Sequence, residues 1–435
     1  MIRLADVLIA HTDTTAAEAF ASRLSHNGYH AVIAESLDQA IGAVRSGHLD
    51  LIIIGRTAMA PVAFADAFRS QPDCADIPIV FAATTVDAGM VQDALAAGID
   101  DVITWTCDDV ELFARLRPLV RLATMHAELD QRDLVARAMG VMAAPSAGQA
   151  DAAHPSILVV GNDADGMAAI FQDIARIVST QNLYDAEGLL EKQNFDAAIL
   201  CAGGEGAAFL AFSSQVRNNP RLFNLPLVMV LEKPETMPAA YRHGVSRAIV
   251  RPIALDLFRA SVMTLVRRQQ LRWAIRSALV DSLKGPTKDD LTGLYGRDFL
   301  DRYLESRLNI ALTHQRHLAV VFFAIPNIDG VRSQFGDDAA QHLTQQLGQW
   351  IAGLLRAEDV TAVYGKNEFC VVLPDTPLIE AEVVMHRIAG VLAYTDFAVR
   401  EVYQPIKVWV QVGCTDARSG DTLDGLVARA RAKMD

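Results

Sequence analysis

The feature that most constrains this chain is a long internal repeat. Leu8-Ile9-Ala10-His11 has a counterpart in Leu158-Val159-Val160-Gly161, and Ile77-Pro78-Ile79-Val80 in Leu225-Pro226-Leu227-Val228. The run from Asp50 to Gly55 matches the run from Asp196 to Cys201, and Ala97-Gly98-Ile99 matches His243-Gly244-Val245. The offset stays at about 148 residues, which marks a duplicated domain rather than a short-period solenoid.

Each copy alternates apolar strands with helical spacing. In the first, strands are expected at Val7–Ala10, Ala31–Ala34, Leu51–Ile54, Ile79–Ala82 and Asp101–Thr104, with helices such as Ala16–Ser25 and Leu37–Ser46 between them. That alternation is the pattern of a doubly wound parallel sheet. Residues 107–138 read as a closing helix that runs past its domain, and the Ala/Pro/Gly-rich stretch Met142–Pro155 as a linker. Residues 254–285 read as a second such helix, ended by Pro286, and its Arg267, Arg268, Arg272 and Arg276 as a solvated face, with a dimer contact as the alternative.

At 435 residues there is room for about three domains. The composition, 51% apolar and 7% aromatic, suits Ala/Val/Leu-rich α/β packing. A net charge of −13 argues against nucleic acid or an acidic membrane as the main partner. The five cysteines are far apart and mostly beside apolar runs, as buried free thiols would be in a reducing compartment. A strand so near the start leaves no room for a signal peptide, and no apolar run approaches the roughly 20 residues of a membrane span.

Receiver domains of response regulators carry an Ile-Pro strand start, an Ala-Gly step before the fifth strand and a final Lys-Pro. Both copies resemble them, the second with Arg251-Pro252-Ile253 at its end. The resemblance implies phosphorylation of one aspartate, which needs a carboxylate nucleophile, an acidic pair for Mg²⁺, a hydroxyl and a lysine. The first copy instead presents Gly55, His11-Thr12, Ala83 and Trp105 there. The second presents Cys201, Gly161-Asn162, Leu231 and Arg251. No phospho-acceptor is expected in either. Asp13 and Asp163, one place past the acidic positions, cannot build a metal site alone. Cys201 follows a buried strand and reads as an inert core thiol.

Two other stretches read as plain structure. Gly203-Gly204-Glu205-Gly206 lacks a phosphate-loop frame and reads as a surface loop. His314 and His317 have no third ligand nearby and read as a solvated helix end.

Residues 289–435 resemble the GGDEF domain of diguanylate cyclases. Asp289-Asp290-Leu291-Thr292-Gly293-Leu294-Tyr295-Gly296-Arg297 matches the family's Asp-x-Leu-Thr-Gly-Leu-x-Asn-Arg opening, with Gly296 in place of the guanine-contacting Asn. A strand at Leu318–Ala324 follows, and Ala324-Ile325-Pro326 stands for the metal-binding Asp-x-Asp. Phe335-Gly336-Asp337 stands for Phe-Gly-His, and the signature hairpin is Gly365-Lys366-Asn367-Glu368-Phe369. Arg431 takes the place of an Asp near the end. With Ala324 and Asn367 replacing the metal carboxylates, GTP condensation is not expected, because a carboxylate-held cation must steady the transferring phosphorus.

What the resemblance leaves intact is Arg356-x-x-Asp359, read on a turn after a helix ending near Arg356. In the family this pair binds cyclic di-GMP, helped by an arginine on the next helix, here Arg387. A guanidinium fork meets guanine O6 and N7, and a carboxylate accepts from N1–H and N2–H₂. The plain alternative is a surface ion pair of negligible energy.

The expected architecture is all α/β. Residues 1–140 form a degenerate receiver (flavodoxin-like, doubly wound parallel sheet), 141–155 a linker, 156–285 a second degenerate receiver with a stalk helix, and 286–435 a degenerate GGDEF (nucleotidyl-cyclase-like) domain. The resemblance, to receiver–receiver–GGDEF response regulators with degraded cyclase motifs, implies a non-enzymatic cyclic di-GMP receptor that recruits partner proteins. It further implies a cytoplasmic, polar position, a cell-cycle role and regulated proteolysis, with homodimerisation an open option. No catalytic residue, metal or cofactor is expected; cyclic di-GMP is the regulatory ligand. The alternatives are a ligand-independent scaffold built from pseudo-receivers and a residual cyclase.

Overall fold

The computed structural model describes residues 4–141, 154–204, 206–219, 221–281, 285–400 and 402–434. The linker stretch 142–153 and Glu205 of the glycine-rich loop lie outside them.

In the first copy, β1 (Ala5–Ala10), β2 (Tyr29–Ala34), β3 (Leu51–Ile54), β4 (Ile79–Ala83) and β5 (Asp101–Thr104) form a parallel sheet in the order β2-β1-β3-β4-β5. The second copy repeats this with β6 (Ser156–Gly161), β7 (Arg176–Thr180), β8 (Ala197–Cys201), β9 (Leu227–Leu231) and β10 (Arg247–Val250), in the order β10-β9-β8-β6-β7. Read from its own first strand, each is the flavodoxin-like 2-1-3-4-5 arrangement. The inner strands β1 and β3 of the first copy are buried along their whole length, because helices cover both faces of the sheet. All five cysteines are buried and free.

The third domain is a four-stranded antiparallel sheet: β11 (Leu318–Ala324), β12 (Val360–Gly365), β13 (Glu368–Pro374) and β14 (Gln411–Asp416), in the order β12-β13-β11-β14. Alternation along β11 splits its side chains between two cores. Val321 and Phe323 pack with Leu343, Leu347 and Ile388 on one face. Val320 and Phe322 pack with Phe299, Tyr303 and Leu426 on the other.

The chain divides into two compact units. One holds both receiver copies, up to Ala123 and Ala274; the other holds Thr124 onward in the first long helix together with Ile275 and the third domain. That helix, Asp109–Ala138, therefore serves both units, and its Val135 joins the third domain's core.

One expectation fails. On the second long helix, Leu255–Asp281, Arg267 and Arg276 are exposed, but Arg268 and Arg272 are buried. Arg268 reaches Asp101 of β5, which Arg115 and Arg247 also pair with at 2.7 and 2.5 Å. Half of the basic run is thus buried rather than a solvated face: Arg268 joins the two copies, and Arg272 donates to the Asn224 carbonyl and to Gln269 within the second. Single-sequence charge spacing cannot reveal this, because the partner carboxylate is 167 residues away. Burial alone would raise the Asp101 pKa, but Arg115, Arg247 and Arg268 outweigh it and hold the carboxyl well below the usual range.

Candidate functional site

The two receiver acceptor positions are filled in different ways. In the first copy, Gly55 follows β3 against rings: a side chain there would overlap His11 and come within 2.9 Å of Trp105. Trp105 packs on His11 and Phe20 at centroid distances of 4.8 and 4.5 Å. Asp13 is occupied as a helix cap, accepting the Ala16 N–H at 3.1 Å. In the second copy, Arg251 donates to Asp163 at 2.6 Å and lies 3.3 Å from Glu232. Cys201 is buried, and burial followed by the Asp163 charge pushes its thiol pKa up to about 12. A thiol held protonated is a poor nucleophile.

In the third domain, the motif Asp289–Arg297 builds a turn. The Asp289 carboxylate accepts from the Thr292 N–H at 2.8 Å and its hydroxyl at 2.6 Å, and Gly293 takes φ 76°, which favours glycine. Gly296 then begins the helix Arg297–His314 as its cap. His314 and His317 join no metal cluster: among the described residues no group of three or more His, Cys, Asp or Glu is placed to hold an ion.

The hairpin turns at Lys366-Asn367 between β12 and β13, with Asn367 at φ 60°, a conformation Asn tolerates. Glu368 faces Ala324 directly across the β11–β13 ladder. Its carboxylate is taken by Arg431 at 2.9 Å, and Lys366 is 3.0 Å from Asp329. Arg297 and Arg431 both lie over the Tyr364 ring, at 3.6 and 5.2 Å from its centroid. This edge presents two carboxylates, Glu368 paired with Arg431 and Asp329 paired with Lys366 and Arg332. Such a donor set does not fit Mg²⁺, which needs free oxygen ligands. Arg431 was noticed in the sequence only as a substitution; its pairing with Glu368 needs the fold.

The Arg356–Asp359 segment is a turn after the helix Asp337–Gly353, which ends three residues earlier than the sequence pattern indicated. The Arg356 N–H donates to Asp359 Oδ2 at 2.9 Å, and the Asp359 N–H to the Arg356 carbonyl at 3.2 Å. The Arg356 side chain is exposed. Arg387, on the helix Leu378–Tyr394, donates to the Leu354 carbonyl at 2.9 Å, so the fold brings all three expected residues to one place.

A fourth residue was not foreseen. Arg132, on the first long helix, is buried, and its Nη2 lies 3.1, 2.7 and 3.1 Å from the carbonyls of Ala357, Glu358 and Asp359. One guanidinium thus gathers the backbone of the whole turn, and its charge makes these bonds stronger than neutral ones. Beside it, Glu128 accepts from the Tyr303 hydroxyl at 2.5 Å and pairs with Arg307 at 3.1 Å. The sequence holds no sign of the clamp, since more than 220 residues part the donor from its acceptors.

Comparison with known proteins places this geometry in a family context. The family model "Diguanylate cyclase, GGDEF domain" matches residues 287–435. The chain is 28% identical over 371 residues to the response regulator PleD of Caulobacter vibrioides, covering 83% of this chain and 81% of that protein. It is 34% identical over 101 residues to the probable diguanylate cyclase DgcE of Escherichia coli K12, covering 23% of this chain and 9% of that one. Among solved structures, the GGDEF domain of DgcB from Caulobacter crescentus in complex with c-di-GMP is 18% identical, with a TM-score of 0.33, and covers 34% of this chain and 85% of that one. Residues 287–435 thus match the GGDEF family model, and most of the chain is similar to the response regulator PleD. No helix among the described residues is long and apolar enough to cross a membrane.

Proposed function

We propose that this protein binds cyclic di-GMP at the Arg356–Asp359 turn, does not synthesise it, and passes the signal on by recruiting partner proteins. The observation that carries the reading is a contrast within one domain. At the hairpin, Glu368 faces Ala324 and is tied to Arg431, so the charge a cation would need is spent inside the protein. At the turn, Arg356 stands exposed on a backbone gathered by Arg132, with Arg387 beside it.

Arg356 would take the O6/N7 edge of a guanine, Asp359 the N1–H and N2–H₂ donors, and Arg387 would assist from the neighbouring helix. The reading groups the protein with PopA-type effectors, the branch with degraded cyclase motifs that its sequence resembles, and with their cell-cycle adaptor role and polar position. The receivers fit an adaptor too: neither presents a carboxylate at its acceptor position, and a buried charge cluster fastens one to the other.

Calorimetric titration of the full chain with cyclic di-GMP is the test. Saturable binding that Arg356→Ala weakens supports the reading; no binding leaves the ligand-independent scaffold as the better account. In parallel, GTP with Mg²⁺ or Mn²⁺ should yield no cyclic di-GMP above a no-enzyme control. Product formation would return the protein to the cyclases.

A further inference from the structure

The duplication lets one copy serve as a control for the other. In the first receiver, Arg69 donates to the Gly98 carbonyl at 2.7 Å and to the Asp100 carboxylate at 2.9 Å, and Asp100 also accepts the Ile79 N–H at 2.8 Å. In the second, Arg217 holds the matching place and donates to the Gly244 carbonyl at 2.7 Å. The residue matching Asp100 is Ser246, whose hydroxyl accepts from Arg217 and from the Leu227 N–H, each at 3.2 Å. The scaffold is the same; the anion is gone. Arg217 is otherwise held by the carbonyls of Phe223 and Leu225, and among the described residues none of its hydrogen-bond partners is a carboxylate. Burial pushes its pKa down to about 10.

This arginine lines a cavity of about 740 Å³ between the two receiver copies. Five more arginines reach the same cavity: Arg117 and Arg121 from the first long helix, Arg242 after β9, and from the second long helix Arg268, which also pairs with Asp101, and Arg272, which also donates to the Asn224 carbonyl and Gln269. The carboxylate among its lining residues, Asp109, is already paired with Arg23 at 2.8 Å. Phe113, Phe223 and Tyr241 supply aromatic wall, and the Arg121 guanidinium lies 4.6 Å from the Phe223 ring centroid. In a chain of net charge −13, this gathering of positive charge is local.

We infer that the cavity between the receivers is a binding site for a nucleotide, with its phosphates on the arginines and its base against the aromatic wall. Guanidinium forks match phosphate oxygens in pairs. The volume lies within the roughly 300–1,000 Å³ of small-molecule sites. The lost aspartate explains why the site exists in this place: with Asp100's counterpart present, Arg217 would be neutralised from within. The site is independent of the Arg356 turn, which lies in the other compact unit.

The test titrates the full chain with ATP, GTP and inorganic pyrophosphate. Three variants act on the cavity: Ser246→Asp, which restores the first copy's carboxylate, and the charge reversals Arg117→Glu and Arg242→Glu at exposed positions. Arg356→Ala serves as the outside control. Wild type should bind ATP or GTP with a Kd well below about 1 mM. Each cavity variant should weaken that binding at least about tenfold, as loss or reversal of a phosphate-facing charge does. Arg356→Ala should leave it within about twofold for ATP, and pyrophosphate should bind at least about tenfold more weakly than the nucleotide, since it lacks the stacked base. Circular dichroism melts establish that Ser246→Asp folds; if it does not, the two surface reversals decide alone. The inference is overturned if neither nucleotide binds up to about 1 mM, if the cavity variants bind as wild type does, or if pyrophosphate matches the nucleotides.

Discussion

Two loops of the third domain, the hairpin and the Arg356–Asp359 turn, are held by opposite means. The hairpin at Lys366-Asn367 is laced by ion pairs near the surface, Glu368 with Arg431 and Lys366 with Asp329. The turn at Arg356–Asp359 is held from beneath by a buried cation, Arg132, on three carbonyls. Exposed pairs occupy charges without fixing much, because water competes for both partners. A buried guanidinium must find acceptors, and where these are carbonyls, as for Arg132, it dictates where that backbone lies. The difference teaches that surface pairing spends the hairpin's charges on one another, while a buried cation fixes the backbone of the turn.

The largest effect tests the premise that buried charge organises this protein. Asp101→Asn leaves Arg115, Arg247 and Arg268 facing one another and should cost about 3–5 kcal/mol of stability, read from denaturant melts. The sign with pH is set by the depressed pKa of Asp101. The stabilisation is whole above the unfolded-state value of about 3.9 and drains as pH falls from there toward the folded value. Wild type should therefore lose stability on acidification below about pH 4, and Asp101→Asn should show less of that slope. Equal slopes would remove Asp101 from the account.

Next in size is Arg132→Met, which keeps the apolar stem and deletes the clamp. Leaving buried carbonyls short of donors costs about 1–3 kcal/mol, and cyclic di-GMP affinity should fall with it although Arg132 is not proposed to touch the ligand. Full affinity in a folded Arg132→Met protein would break the comparison, because the turn would then hold its shape unaided.

Arg356→Ala should separate binding from folding. A bidentate arginine–guanine contact is worth about 1–3 kcal/mol, so cyclic di-GMP binding should weaken about ten- to a hundredfold while the melting temperature stays put. Arg356→Lys should do nearly as badly, since an ammonium cannot span two acceptors. Asp359→Ala should weaken binding and cost selectivity for guanine over adenine dinucleotides, and Arg387→Ala should give a smaller loss. Unchanged affinity in Arg356→Ala would put the ligand elsewhere.

The smallest effect is expected at the hairpin. Arg431→Ala removes a solvent-exposed partner of Glu368 and should change stability by no more than about 1 kcal/mol. It should leave GTP unconverted, because Ala324 still supplies no carboxylate. Turnover in this variant would mean that Arg431 alone silences the domain, and the contrast between the loops would rest on one side chain.

The periodic elements were legible in the sequence: strands at Leu51–Ile54, Asp101–Thr104 and Leu318–Ala324 lie where the apolar runs indicated. So was the duplication, because each copy repeats one local pattern that its own sheet must bury. The positions of Arg356, Asp359 and Arg387 followed from the match to a known domain. What only the tertiary structure decided are the long-range charge partners: Arg268 with Asp101, Arg431 with Glu368, Arg132 with the turn carbonyls, and Arg217 without the carboxylate that Arg69 has. The physical reason is that apolar periodicity is written over a few neighbouring residues, where backbone geometry sets the period. An arginine's partner depends on which distant carbonyl or carboxylate the finished fold brings within about 3 Å, and no local spacing records that.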